Sequence, residues 1–509
     1  PCTGQNLRAL NPLTNVALPA GSGTLVGQVV PDSGDVVNGV FNAGEGPVAK
    51  TVYTLPGLAV APRVGMAYDW TGTQKLVLRG GFGLFHDRTP ADNLYGMVGN
   101  PASAFAVTVN NTTIADLQAG STAGVASPKR LLAIQYDSPI PTSAQWNAGV
   151  QMALPWSTAL DVAYVGQHSY NTLLTVDINP PAFGAAFLAE NQDPTKTGTL
   201  PGSRALGTDF YRPFNGFGQV SYIWAVGHNT FHSMQTSLNR RFSNGLQFTV
   251  NYTLSKNKEL GGTQRVDSAN GTFALRSDNE QANYQLSGND RRHVLRTNFV
   301  WDLPDMSTAG SAPHRIIAHA VNGWQLSSVF TAGSGAPYTP NFSITGVNNN
   351  VNYTGTPIYS ARILANGDTG GGCSGDLTRQ FNTSAFSAPL PSATSPSLGL
   401  ESGLNYLTGC WDHTVDLALA RNIRLGGRRS LQLRLEAFNV FNSVIINARN
   451  ATITYASLAN ATAGTSNNLP YDDNGTLIGA RNVPQSAGFG VATNAQALRS
   501  MQVQVRFGF

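Results

Sequence analysis

The sequence predicts an all-β fold: an antiparallel up-and-down transmembrane β-barrel, present in part as about eleven strands, with long extracellular loops. Three observations predict it: a depletion of charge, a strict alternation of apolar and polar residues in segments of membrane-crossing length, and connections that are tight at one end and very long at the other. The first is compositional. Only 12% of the 509 residues are Asp, Glu, Lys or Arg, about half the share usual in soluble domains, although the hydrophobic fraction is an ordinary 41%. Asn, Thr, Ser and Gln fill the gap. No apolar run reaches the roughly 20 residues that a spanning helix needs, whereas spanning strands alternate and leave no such run. The net charge of +4 comes from scattered basic residues, which gives no electrostatic footprint for nucleic acid.

The alternation places strands near 61–70, 75–87, 143–154, 158–169, 230–242, 245–256, 291–303, 322–334, 412–425, 429–442 and 498–509. Successive side chains of a strand point oppositely, so each segment has two faces. In the third, Trp146, Ala148, Val150, Met152 and Leu154 oppose Gln145, Asn147, Gly149, Gln151 and Ala153. In the sixth, Leu246, Phe248, Val250, Tyr252 and Leu254 oppose Gln247, Thr249, Asn251, Thr253 and Ser255. In the ninth, Val415, Leu417 and Leu419 oppose Asp416, Ala418 and Ala420; in the last, Met501, Val503, Val505, Phe507 and Phe509 oppose Gln502, Gln504, Arg506 and Gly508.

A soluble sandwich would share this alternation, and the connections separate the two. Tight turns fall at Thr71 to Gln74, Pro155 with Trp156, Ser243 with Asn244, and Gly426 with Gly427, with residues that hairpins demand. Long stretches rich in Asn, Gly, Ser, Thr and Pro cover 89–141, 171–216, 258–289, 336–410 and 444–497. Outer-membrane barrels have this asymmetry, with short periplasmic turns and long loops outside. If the last strand descends to the periplasm, alternation puts every tight turn there. The odd strand count, and the reading of residues 1–60 as an external loop or incomplete upstream barrel segment, make 61–509 part of a larger barrel; half of a 22-stranded one fits.

Cations on the apolar phase provide a check, because Arg or Lys at the bilayer midplane costs roughly 2–4 kcal/mol and almost nothing near the interfaces. Arg240 and Arg421 share the apolar phase but lie within a few residues of a tight turn, where they can snorkel. Trp70, Trp156, Trp301, Trp324 and Trp411 sit near strand ends, as an aromatic girdle requires.

Several phrases in order resemble the Oar-like TonB-dependent receptors. They are Ala61-Pro62-Arg63-Val64-Gly65 with Tyr68-Asp69, Leu78-Arg79-Gly80-Gly81-Phe82-Gly83, and Ser237 through Leu246. Asn289-Asp290-Arg291-Arg292-His293-Val294, Asn322-Gly323-Trp324-Gln325-Leu326, Glu436 through Asn442 and the terminal phenylalanine complete the set. The resemblance covers most of the chain and implies the carboxyl-terminal part of a bacterial outer-membrane receptor barrel. It further implies capture and import of a large nutrient, an oligosaccharide, peptide or metal chelate, by the extracellular loops. Implied partners are outer-membrane lipid, the barrel-assembly machinery acting on Phe507 and Phe509, and the TonB system acting through a plug. No plug, regulatory-like domain or TonB-contacting box is visible in the sequence, so energised transport is not expected of this segment by itself.

Other candidates separate on chemistry. Cys373 and Cys410 bracket one Gly/Ser/Thr-rich segment and can pair in an oxidising compartment, leaving Cys2 over. Arg291, Arg292 and His293 at an external strand entrance fit a ligand rim better than a catalytic cluster. Gly80, Gly81 and Gly83 sit in continuing strand pattern, not in a phosphate-cradling loop that opens a helix. Tyr471 to Gly475 lacks the spaced ligands and terminal Glu of a calcium loop. The histidines lack zinc spacing, and no nucleophile with base and orienting carboxylate stands out, so neither cofactor nor enzymatic activity is expected. The competing class is a secreted or surface all-β binding or adhesion protein, which predicts repeats of 20 to 50 residues that the sequence does not show. A carbohydrate-active enzyme would need paired acidic residues that the sequence does not nominate.

Overall fold

A computed structural model describes residues 10–11, 16–17, 41–54, 57–88, 95–100, 129–194, 196–214, 217–260, 284–309, 311–347, 350–456, 466–496 and 498–509. Its main element is an antiparallel meander: β1 (Arg63–Asp69), β2 (Leu76–His86), β3 (Thr142–Leu154), β4 (Thr158–Asp177), β5 (Phe217–Ser243), β6 (Leu246–Leu260), β7 (His293–Asp302), β8 (Trp324–Gly333), β9 (Asp412–Gly426), β10 (Arg429–Phe438) and β11 (Ser500–Gly508). Each strand pairs with the next in sequence, and two short strands, Lys129–Ile134 and Gln285–Leu286, add to β5 and β6 and bring the sheet to 13. Among the described residues β1 and β11 are edges that do not pair with one another, so the sheet is open.

Register carries the sequence alternation across the wall. Val64 lies opposite Phe82, Phe82 opposite Trp146, Trp146 opposite Gly166, and Gly166 opposite His232. Further on, Leu246 is opposite Trp301, Trp301 opposite Leu326, Leu326 opposite Leu419, Leu419 opposite Leu435, and Leu435 opposite Val503. One face is therefore apolar along the middle of the wall, with cations and histidines such as Arg240 and His232 toward its ends; the other carries Gln145, Asn147, Gln151, Asp161, Asn251, Arg296, Arg434 and Glu436. A shift of one residue in any pairing would send a whole row to the wrong face, so each pair fixes the next. Gly166 is required by this packing: a Cβ there would lie 2.3 Å from the Trp146 ring.

The apolar rows do not meet in a core. Val64 is 69% exposed, Phe82 45%, Met234 40%, Leu435 45% and Val503 74%, a face that only hydrocarbon or another apolar surface would cover. The large buried side chains lie elsewhere, in the long connections and the far ends of β4 and β5: Tyr353, Ile363, Leu407, Phe489 and their neighbours form the principal cluster.

Tight turns occupy the opposite end, with Gln74, Trp156, Ser157, Asn244, Gly426 and Gly427 at positive φ, as hairpins matched to strand twist require. One connection at that end differs. Between β7 and β8 the chain forms helix α1 (Ala312–Val321), with Pro313 in its first turn. Trp324 Nε1 donates to Ala320 O at 2.9 Å and Arg421 donates to His319 O, which ties the helix to the apolar face of the wall. The alternation pattern gives no sign of this helix, because its periodic segment is short and lies between two strong strand patterns. No helix among the described residues is long and apolar enough to cross a membrane.

The strands also run further outward than their alternation predicts. β4 continues to Asp177 and β6 to Leu260, inside stretches expected to be loop, and β5 starts at Phe217, well before the strand expected over 230–242. There alternation gives way to burial on both faces: Leu173, Ile223, Ala225 and Ile134 pack in one cluster, and Leu174, Val176 and Leu260 in another. Asn171, at positive φ, and the register shift between Ser169 and Thr172 mark the passage from wall to extension.

Candidate functional site: the cap of long connections

Three external connections, 178–216, 336–410 and 444–497, fuse into one body above the wall. Its core joins segments distant in sequence. Asn341–Ile344 pairs in parallel with Thr452–Tyr455, and Phe489 packs edge-on against Phe381 and Phe386 with ring centroids at 5.0 and 5.9 Å. The 178–216 connection docks on this core by backbone: Gly184 N donates to Thr354 O at 2.7 Å and Ala186 N to Gly355 O at 2.8 Å. Gly355, at φ +69°, cannot be replaced without displacing chain, because a Cβ would meet Gly184 backbone at 2.5 Å. Phe183 stacks on Tyr359 at 4.5 Å beside this contact.

Polar groups are fixed as tightly. Asp177 accepts from Asn179 N at 2.9 Å and Val220 N at 3.2 Å, while Arg212 Nη1 donates to Asp177 at 3.2 Å and to Asn179 O at 2.7 Å. Asn179, fully buried, donates to Gly218 O and accepts from Phe214 N. Both ends of the 178–216 excursion are thereby tied to the strand extensions. Cys373 and Cys410 are joined by a disulfide, which holds the 336–410 excursion to the residues leading into β9.

Between the docked loops lies an open cavity of about 630 Å³ lined by Leu200, Thr208, Tyr211, Val347, Val351 and Asn352, with Lys196 and Ser203 at its margin. Lys196 Nζ donates to Ala205 O at 2.6 Å, and Asn352 Nδ2 donates to Pro201 O at 2.7 Å. Burial raises the Tyr211 hydroxyl above its ordinary pKa, as it does for Tyr338, Tyr353, Tyr406 and Tyr455 in the cap. These phenols stay protonated at any physiological pH and serve as neutral hydrogen-bonding groups. The Asp376 carboxyl is held below the ordinary range, first by the Thr378 hydroxyl at 2.7 Å and then by the Thr378 amide. Hydroxyls, an amide and one ammonium beside an apolar floor make a binding surface; they do not assemble a nucleophile with its base.

The residues singled out from sequence fall in three places. Arg291 and Arg292 are exposed just before β7 and donate to Asp290 O at 2.9 Å and Ser255 O at 3.4 Å. His293 shares the outward apolar face, opposite Leu254, with its Nδ1 2.8 Å from the Tyr252 hydroxyl and its ring stacked on Trp411. None of the three lines the cavity in the cap. Phe507 is on the outward face opposite Leu431, and Phe509 is 95% exposed beyond the last pairing. The cavity residues had no signal as individuals. The stretches did: a solvated loop has no use for Phe342, Ile344, Tyr353, Ile363, Phe381 and Phe386 in close succession, and that density announces a core.

An open antiparallel wall with an apolar outer face, short turns at one end and a folded cap at the other defines a membrane-spanning β-barrel protein. The sequence matches the family model described as the outer membrane beta barrel domain over residues 5–502, and the chain belongs to that family. Its place is the bacterial outer membrane. No curated protein matches the sequence. Similar solved structures include the outer membrane transporter YddB from Escherichia coli, at 9% identity and TM-score 0.39, covering 80% of this chain and 38% of that one. A mutant of the ferric enterobactin receptor PfeA from Pseudomonas aeruginosa aligns at 11% identity and TM-score 0.39, over 88% of this chain and 40% of its own. The siderophore receptor PirA from Acinetobacter baumannii aligns at 11% and 0.37, over 88% and 41%. The chain thus spans well under half the length of the structures it matches.

Proposed function

We propose that the chain forms the carboxyl-terminal part of an Oar-like TonB-dependent receptor barrel, whose cap captures a large nutrient for import through the lumen. One observation carries the reading: the two edges of the wall, β1 and β11, both descend toward the turn end, so antiparallel closure takes an odd number of further strands. Eleven more would give 22, the size of plugged transporters. The polar inner face then lines the lumen, and the cap overhangs its mouth. Phe507, outward and exposed, and Phe509, 95% exposed beyond the last pairing, support the reading that an assembly machinery recognises this terminus.

The alternative, a secreted or surface β protein without transport, would bury its apolar rows; here Met66, Val503 and Val505 remain 64%, 74% and 64% exposed. The test compares cells with and without the intact gene for uptake of a labelled oligosaccharide, an oligopeptide and a ferric catecholate, each with and without a proton uncoupler. Loss of one uptake on deletion, matched by loss on uncoupling, is the expected result. Unchanged uptake of all three would overturn the import reading.

A further inference from the structure

The outward face of the wall segregates charge. Among the described strand residues at membrane height, the carboxylates, including Asp161, Asp302, Asp416 and Glu436, all have the inner-face parity, while the outward parity carries only cations and histidines. Arg240 and Arg421 mark the turn end. At the external end a set of polar residues stands at one level. His86 and His168 lie ten residues above Leu76 and Thr158, the first residues of β2 and β4, and Lys256 lies ten above Leu246 in β6. His293 is nine residues from the end of β7. Ten residues of a strand tilted by about 45° rise roughly 25 Å, the height of the apolar band of an outer-membrane barrel. These side chains therefore stand where acyl chains end and headgroups begin.

Hydrogen bonding separates these histidines. His86 uses both ring nitrogens, on Thr142 Oγ1 at 2.9 Å and Val60 O at 3.1 Å, and His168 Nδ1 donates to Asn229 O at 3.1 Å, which leaves its Nε2 an acceptor. His232 and His293 differ. Each has its Nδ1 within hydrogen-bond distance of a tyrosine hydroxyl, Tyr164 at 2.7 Å and Tyr252 at 2.8 Å, so Nε2 is the ring nitrogen available to another partner. His232 is exposed and directly opposite Lys256, also exposed, and His293 is opposite Leu254, two residues along the same strand. Trp146 packs against His232 and Trp411 against His293.

We propose that His232, Lys256 and His293 form a binding site for the anionic phosphate headgroup of an outer-leaflet lipid. Lys256 supplies the charge, the two imidazoles present Nε2 as a further donor in the tautomer or charge state that carries its hydrogen there, and Trp146, Tyr164, Tyr252 and Trp411 supply the aromatic surface that suits this depth. The apolar rows below receive the acyl chains of the same molecule, which a free anion lacks.

The test uses the assembled chain purified from outer membranes, placed in phosphatidylcholine nanodiscs doped with phosphatidic acid, with bound lipid counted by native mass spectrometry. Phosphatidic acid is expected to be enriched over its bulk share. The triple variant His232→Gln/Lys256→Gln/His293→Gln is expected to lose about five- to tenfold of that enrichment, in keeping with roughly 1 kcal/mol per surface cation. Lys256→Arg should retain it. Lys256→Gln alone, a change at an exposed position, keeps the measurement decisive if the triple variant does not assemble. Equal enrichment in wild type and in Lys256→Gln would overturn the site, and displacement of the lipid by millimolar inorganic phosphate would overturn the lipid as its occupant.

Discussion

Arg212 and Asp177 meet at 3.2 Å with their side chains 8% and 0% exposed, at the point where the 178–216 excursion leaves and rejoins the strand extensions. Removing one partner of a buried pair strands the other, at a cost of about 3–5 kcal/mol. Asp177→Asn keeps the size of the side chain and removes its charge, so Arg212 is left with Asp209, at 2.7 Å, as its remaining carboxylate. The expected result is accelerated proteolysis within 178–216 with heat-modifiable migration retained. Loss of the barrel itself would mean that the cap and wall are not separable in energy.

The disulfide between Cys373 and Cys410 closes a loop of sequence separation 37. A crosslink of that span stabilises by about 4 kcal/mol through the unfolded chain, and here the chain in question is the 336–410 excursion. Cys373→Ala/Cys410→Ala, or reductant on the native chain, should loosen the cap, read as increased hydrogen exchange at Phe381 and Phe386. Exchange that stays unchanged would show that the aromatic core holds the loop without the bond.

The wall was legible in the sequence because its physics is local: Val250 and Thr249 differ by one position and by solvent, and a period of two is visible without any partner strand. The turns were legible for the same reason, since Asn244 with Gly245 and Gly426 with Gly427 meet φ demands set within four residues. The cap was not legible as structure. Its pairings join Phe342 to Ile453, its contacts join Gly184 to Thr354, and no periodicity announces contacts between chains that wander. His293, read as part of a ligand rim, lies on the outward face: strand parity, which the sequence holds, settles its side once the register with Leu254 is known.

That parity has a direct test. Val250→Arg or Val503→Arg places a cation on the apolar face at a cost of roughly 2–4 kcal/mol near mid-depth, whereas Thr249→Arg or Gln504→Arg places it on the polar face. Assembly, followed by heat-modifiable migration in outer-membrane fractions, should fall for the first pair and persist for the second. Equal behaviour of the two pairs would contradict the assignment of faces.

Helix α1 supplies the last prediction. It is held to the apolar side of the wall by Trp324 and Arg421, yet Ile316 and Ile317 are 70% and 52% exposed, and Arg421 lies over the Trp324 ring at 5.4 Å. A short helix fixed beside Trp324 at the turn end of the wall, with isoleucines exposed, is placed to dip into the membrane leaflet at that end. Burying each isoleucine there contributes about 1.5–3 kcal/mol. Ile316→Glu/Ile317→Glu should therefore lower thermal stability in bilayers more than in detergent. It should also weaken quenching of tryptophan fluorescence by lipids brominated near the headgroup, measured in a background where Trp324 is the one tryptophan at that end. If bilayer and detergent stabilities shift together and quenching is unchanged, the helix faces water and the isoleucines await a protein instead.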